Sequence, residues 1–203
     1  MVRSPFRPSH LEVICGPMRC GKSAELIARL DRFDQTDYAY QVFKPDRDTR
    51  DGPFVVTRRG NLKIPAPFID SADPTILFAQ LGADTKVVAF DESQFFGPAY
   101  LHVMENLRRQ GRYLIVSGLD LDFKGEGFGI MPELMSRANK VTKLTAVCKH
   151  VDEKGLECQA EATHTISLLD GKLAPYEAPI IHVGDEAYSP RCIEHHTVPG
   201  RPT

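Results

Sequence analysis

Eight residues near the start of the chain, Gly16-Pro17-Met18-Arg19-Cys20-Gly21-Lys22-Ser23, fit the pattern GxxxxGK[ST]. They follow an apolar run, Leu11–Cys15, which predicts a buried strand. They precede a stretch in which Ala24, Leu26, Ile27 and Leu30 fall at helical spacing, predicting a helix from Lys22 to about Phe33. Strand, glycine loop and helix in that order make a phosphate cradle. Glycines let backbone N–H groups curl around phosphate oxygens, and the helix N-terminus adds positive potential. Lys22 would neutralise β/γ charge, and the Ser23 hydroxyl is suited to Mg²⁺.

The rest of the chain repeats the alternation. Tyr38–Lys44, Lys86–Glu92 and Arg112–Gly118 read as further strands, and Pro74–Leu81, Ala99–Gln110 and Pro132–Asn139 as helices. The polar, proline-bearing stretch from Pro45 to Pro67 reads as an irregular excursion or a hairpin. The glycine-rich Gly118–Gly129 reads as a loop, and Val141–Val147 as one more strand. Strand–helix alternation predicts an α/β fold of the P-loop NTPase type, a mainly parallel sheet with helices on both faces. From Cys148 the helical periodicity fades, and a small C-terminal lobe is expected there. The expected divisions are an N-terminal arm (1–9), an α/β domain (10–147), the small lobe (148–196) and a flexible tail (197–203).

Composition excludes several classes of function. The chain has 203 residues, enough to bury a full core without disulfides. Its 25 Lys and Arg against 27 Asp and Glu leave a net charge of −2, the opposite of a generally basic nucleic-acid binder. No run approaches the roughly 18 apolar residues of a membrane span. The opening MVRSPFRPSH has no apolar core, so no secretory leader is expected. A cytoplasmic protein is the expectation. In a reducing compartment, the grouping of Cys148, Cys158 and Cys192 in the last third reads as metal ligands before disulfides.

Two further segments carry chemistry. Ala89-Phe-Asp-Glu-Ser-Gln-Phe-Phe96 ends an apolar strand in adjacent acids. Asp91 is placed to hold Mg²⁺, directly or through water. Glu92 admits two roles: polarising water in a hydrolase, or deprotonating an acceptor hydroxyl in a kinase. Gly118–Gly129 carries Phe123 and Phe128 among four glycines, which suits a lid over a flat ligand; the same rings would equally serve to anchor the loop to the core.

Taken together, GPMRCGKS, KPDRDTRDG, FDESQFF, GLDLDFKGEGFG and MPELMSRANKVTKLTAVC, followed by a cysteine cluster, resemble the type II thymidine kinases over residues 10–196. The resemblance implies ATP phosphates on Gly16–Ser23, with Asp91, Glu92, Ser93 and Gln94 in a second nucleotide-contacting segment. It makes Glu92 the general base. It places Mg²⁺ on Ser23, Asp91 and Asp48. It lines a thymine pocket with Met18, Leu119, Phe123 and Phe128, and sets Thr165 facing the base. In the family a loop between the last metal ligands reads the base edge through its backbone. Here that loop corresponds to Ile181, His182, Val183 and Gly184, with Tyr188 contributing. Arg50 is a candidate for extra charge stabilisation. Thr57-Arg58-Arg59-Gly60 departs from the family's usual S-H-x-G, and no role is carried to Arg58.

The resemblance also implies a structural zinc. Cys148, Cys158, Cys192 and His195 are the expected ligands, since Zn²⁺ favours four Cys/His ligands and Cys192–His195 has C-x-x-H spacing. Cys148 and Cys158 are separated by nine residues, where the family has C-x-x-C; Lys149–Glu157 reads as an inserted turn. His150 and His196 remain alternative ligands.

The expected activity is transfer of the ATP γ-phosphate to the 5′-hydroxyl of thymidine, and of deoxyuridine too. The expected partners are ATP and thymidine, with thymidine triphosphate as feedback inhibitor, a homotetramer as the assembly, and neither nucleic acid nor membrane. The competing reading is a P-loop ATPase whose zinc lobe grips nucleic acid.

Overall fold

The computed structural model describes residues 5–58, 62–180 and 187–202. In chain order the elements are β1 (Leu11–Cys15), α1 (Lys22–Leu30), β2 (Tyr40–Pro45), β3 (Phe54–Val56), β4 (Lys63–Pro65), β5 (Phe68–Ile69), α2 (Thr75–Gln80), β6 (Val87–Phe90) and α3 (Ala99–Arg109). They continue with β7 (Tyr113–Gly118), α4 (Met131–Arg137), β8 (Lys140–Lys143), β9 (Ala146–Val147), β10 (Glu161–Ala162), β11 (His164–Leu169), β12 (Lys172–Leu173) and β13 (Tyr188–Arg191).

These elements form two compact units. The first holds Met1–Cys15, Gly21–Gly118 and Gly129–Thr142; the second holds Gly16–Cys20, Leu119–Phe128 and Lys143–Thr203. The phosphate loop is therefore divided between them along the chain.

The first unit is built on a six-stranded sheet in the order β5-β2-β6-β7-β1-β8. The pairs β5–β2, β2–β6, β6–β7 and β7–β1 are all parallel. Every residue of β1, β6 and β7 is buried. That is why these segments read as continuous apolar runs: strands covered on both faces have no polar side to alternate with. Helices α1 and α3 pack against β7, and α4 against β1. The core continues through a chain of rings, Phe43–Phe90 at 6.1 Å, Phe90–Phe96 at 5.9 Å and Phe96–Tyr100 at 4.4 Å between centroids. The Tyr100 hydroxyl, carried inside with its ring, donates to the Asp70 carbonyl, as a buried phenol must find an acceptor.

Parallel pairing puts the carboxyl ends of β1, β2, β6 and β7 along one edge of the sheet. Cys15 is opposite Gly118, Phe90 opposite Val116, and Phe43 opposite Phe90. Ligands of open α/β sheets bind at that edge. The glycine loop after β1, the polar excursion after β2, the acids after β6 and the glycine-rich loop after β7 all leave the sheet there.

The structure departs from the sequence reading in detail. Helix α1 stops at Leu30, and residues 31–37 form turns. Asp31, Asp34 and Thr36 offer local side-chain hydrogen bonds that compete with a helix, and the Thr36 hydroxyl does donate to the Phe33 carbonyl. The strand expected over Val141–Val147 is two strands. β8 joins the edge of the large sheet, whereas β9 pairs with β10 in the second unit. The Pro45–Pro67 excursion contains a hairpin, β3 with β4.

The second unit holds the β9–β10 pair and an antiparallel sheet, β12-β11-β13. Val198 is buried with Phe123, Ala174 and Ala178, so the chain beyond His196 is packed at this point, where a loose tail was expected.

Candidate active site and metal centre

The phosphate loop has the backbone its pattern demands. Gly16 (φ 139°) and Gly21 (φ 92°) lie in the region open to glycine, and Arg19 (φ 66°) is left-handed between them. A Cβ on Gly16 would lie 2.3 Å from the Leu144 carbonyl oxygen, so no side chain fits. Gly21 then opens α1, where Lys22 is buried and Ser23 half-buried in the first turn.

The acids sit on the carboxyl ends of β2 and β6, in the first unit. Asp91 follows β6 and is buried; its carboxylate accepts from the Ser117 hydroxyl of β7. Burial, then the neighbouring charge of Glu92, push the Asp91 carboxyl up to about 6, against the Ser117 hydrogen bond. A divalent cation bound there would favour the ionised form.

Glu92 is held in a left-handed conformation, φ 49° and ψ 41°. A non-glycine residue pays on the order of 1 kcal/mol for this, a cost that gathers at functional sites. Its carboxylate is gripped on both oxygens: Arg50 Nη2 donates to Oε1 at 2.8 Å, and Gln94 Nε2 to Oε2 at 2.5 Å. Gln94 is itself fixed by close backbone approach. A Cβ on Gly129 (φ 54°) would stand 2.1 Å from the Gln94 carbonyl oxygen, so only glycine fits there.

Arg50 also donates from Nε to Asp48 Oδ1 at 2.6 Å, and Lys44 Nζ lies 2.7 Å from Asp48 Oδ2. Burial pushes the Asp48 carboxyl up, but hydrogen bonds and charge from Arg50, and then from Lys44, outweigh it and hold it below the usual carboxylate range. Lys44–Asp48–Arg50–Glu92 is thus a continuous line of alternating charge running from inside the sheet to the end of β6. Lys44 escaped the sequence reading. Its one signal was a lysine inside an apolar strand with an acid four residues on.

In the second unit, Cys148 follows β9, Cys158 precedes β10, Cys192 follows β13, and His195 closes a single 3₁₀ turn, Ile193–His195. Their ligand atoms all lie within 4.8 Å of one another. Cys158 Sγ is 3.9 Å from Cys192 Sγ, and His195 Nδ1 is 3.2 Å from Cys192 Sγ and 3.8 Å from Cys148 Sγ. Tetrahedral zinc with Zn–S of about 2.3 Å sets ligand atoms a little under 4 Å apart, so donor type and spacing both fit. The alternative ligands go elsewhere. His150 stacks on His195 at 3.9 Å, and His196 Nε2 lies 2.9 Å from the Phe123 carbonyl oxygen. The insertion between Cys148 and Cys158 is a tight excursion closed by a Val151–Glu157 bridge, with Asp152 accepting from the Lys154 and Leu156 amides.

The same unit carries Met18, Leu119, Phe123, Phe128, Thr165 and Tyr188. The Met18 amide donates to Thr165 Oγ1 at 3.0 Å. Phe123 and Thr165 are buried; Met18, Leu119, Phe128 and Tyr188 are half-buried. The Tyr188 hydroxyl donates to the Ile180 carbonyl at 3.2 Å.

Residues 9–196 match the protein family described as thymidine kinase. The chain belongs to the thymidine kinase family. It is 42% identical to a thymidine kinase of Ureaplasma parvum over 196 residues, 95% of this chain and 84% of that one. It is 39% identical to a thymidine kinase of Deinococcus deserti over 210 residues, covering 98% of this chain and 99% of the other. A thymidine kinase of Mycoplasmoides gallisepticum is 38% identical over 193 residues.

This member of the thymidine kinase family has a lysine in its phosphate loop, paired acids after β6 and a Cys/His cluster of metal-binding type. Within the first unit the structure brings together Glu92, Gln94, Arg50 and Asp48. Within the second it joins Met18 to Thr165 and gathers the four ligands. The expected base-reading residues Ile181, His182, Val183 and Gly184 lie outside the described residues. No described helix is long and apolar enough to cross a membrane.

Proposed function

We propose that the protein transfers the γ-phosphoryl group of ATP to the 5′-hydroxyl of thymidine. The observation that carries this reading is Glu92, strained into place beside Asp91 and held on both oxygens, in a chain of the thymidine kinase family. The backbone of Gly16–Gly21 and Lys22 receive the ATP phosphates, with Ser93 and Gln94 completing the nucleotide contacts. Glu92 takes the proton of the attacking hydroxyl. Arg50, already aligned by Asp48, supplies positive charge where the transferring group develops negative charge. Ser23 and Asp91 hold Mg²⁺, which when bound neutralises charge on the phosphates. Both Asp48 oxygens are engaged by Lys44 and Arg50, so Asp48 serves the ion through water or by orienting Arg50.

Thymidine is received by Met18, Leu119, Phe123, Phe128, Thr165 and Tyr188, with Ile181–Gly184 reading the base edge. Backbone readout separates pyrimidines from purines more readily than it fixes the 5-substituent, so deoxyuridine is a second substrate. Cys148, Cys158, Cys192 and His195 hold a structural Zn²⁺; four ligands leave no open position for chemistry. We further propose a cytoplasmic homotetramer inhibited by thymidine triphosphate, on the family resemblance.

The test is a nucleoside panel with labelled ATP and Mg²⁺. Label appearing in thymidine and deoxyuridine, and not in deoxyadenosine, supports the reading. Label released to water regardless of nucleoside overturns it.

A further inference from the structure

The adjacent histidines of Cys192-Ile-Glu-His-His196 face different neighbours. His195 presents Nδ1 to the thiols. His196 Nε2 lies 2.9 Å from the carbonyl oxygen of Phe123. A carbonyl only accepts, so Nε2 carries the proton and donates. The His196 ring lies against that of His164, with centroids 4.5 Å apart and planes inclined 31°. His164 opens β11, and the next residue, Thr165, holds the Met18 amide.

The loop bearing Phe123 is seated on these two rings. A Cβ on Gly125 (φ 79°) would come within 3.0 Å of His196 Cε1 and 3.6 Å of His164 Cδ2. Val198, two residues beyond His196, is buried against Phe123, and the Tyr176 hydroxyl donates to Glu126 at the loop's far side. Phe123 is thus tied to His196 by a hydrogen bond, and Met18 is tied to Thr165, the residue that follows His164.

We propose that His196 is a positioning residue for the nucleoside subsite. Its hydrogen bond to the Phe123 carbonyl fixes where the Phe123 ring stands and so sets thymidine affinity, with no part in phosphoryl transfer. This rests on the reading of Phe123 as a wall of the thymine pocket.

The test compares His196→Leu, which keeps bulk but cannot donate, with His196→Gln, whose amide reaches and donates. In His196→Leu the thymidine KM rises about tenfold, equivalent to about 1.4 kcal/mol. Its kcat and ATP KM stay within about threefold, the pattern of lost binding common to ground and transition state. His196→Gln stays within about threefold of the parent on every constant. Amide hydrogen exchange in the 119–128 segment speeds up in His196→Leu and not in His196→Gln. Zinc content and melting temperature establish that both variants are folded.

An unchanged thymidine KM in folded His196→Leu overturns the proposal, as does a loss confined to kcat, unchanged exchange in the 119–128 segment, or a Gln variant no better than Leu. If the Leu variant does not fold, His196→Asn replaces it, since the shorter amide does not reach; equal thymidine KM for Asn and Gln then overturns the proposal. A parent protein that fails to phosphorylate thymidine overturns the functional reading, and this inference with it. An active parent with an indifferent His196 overturns this inference alone.

Discussion

Arg50 Nη2 donates to Glu92 Oε1 at 2.8 Å, while Arg50 Nε holds Asp48 Oδ1 at 2.6 Å. One guanidinium thereby links the residue proposed as general base to an acid fixed on a different strand end. Its planar fork allows both bonds at once, which a lysine ammonium would not match. The proposed base owes its direction to this link, to Gln94 and to its own left-handed backbone.

Replacing that carboxylate by an amide of the same shape separates proton transfer from positioning. Glu92→Gln is expected to lower kcat by about 10²–10⁴. Thymidine and ATP KM are expected to stay within about threefold. Steady-state kinetics against both substrates checks this, and near-parental turnover would remove Glu92 from the role of base.

Lys44 and Asp48 are both buried, with side chains 1% and 5% exposed. Removing Asp48 strands the Lys44 ammonium, which costs about 3–5 kcal/mol, whereas removing Lys44 leaves Asp48 still paired with Arg50. Asp48→Leu is expected to lose that much on urea unfolding. The double variant Lys44→Met/Asp48→Leu is expected to recover most of it, because an apolar pair leaves no stranded charge. A double variant no more stable than Asp48→Leu would mean that a stranded Lys44 charge is not what the single variant suffers from.

Asp91 makes the metal-free protein pH-sensitive. Burial first, and Glu92 second, raise its carboxyl from 3.8 to about 6. Between those values the folded chain keeps a proton that the unfolded chain has released. The contribution of this group to stability is therefore greatest below the unfolded value and is lost as pH rises through the folded one. Asp91→Asn removes the titration, so its stability relative to the parent should be higher at about pH 7.5 than at about pH 5 in the absence of divalent metal. Equal differences at the two pH values would show that Asp91 is not raised.

Metal removal should act on nucleoside binding before chemistry. The purified protein is expected to hold about one zinc per chain, and Cys192→Ser to lose it together with thermal stability, since binding free energy at such sites is folding free energy. Partial chelation should raise the thymidine KM more than it lowers kcat at saturation. Metal analysis beside calorimetry and kinetics tests both parts; a metal-free protein with parental stability and thymidine KM would remove the structural role.

The phosphate loop, the buried parallel strands and the paired acids could be read from the chain directly, for a local reason. Each is a short run whose residue types are dictated by its own backbone: glycines where φ is positive, unbroken apolar runs where both faces are covered, acids just past a strand end. The small β-pieces were legible only in part. Lys140–Lys143 and Ala146–Val147 read as one strand because their side-chain pattern is continuous, and only the partners, β1 for one and β10 for the other, divide them.

What the sequence by itself determined was the family, with it the kind of chemistry, and the order of strands and loops along the chain. Which side chains hold which was decided by tertiary structure alone. No spacing rule pairs Arg50 with Glu92 forty-two residues on, or His196 with the carbonyl of Phe123 seventy-three residues back. The C-x-x-H spacing pointed to His195 as metal ligand, but only the fold turns His196 toward Phe123. Those choices depend on where strands that are distant in sequence end in space, and a hydrogen bond a few ångströms long registers that only once the chain has folded.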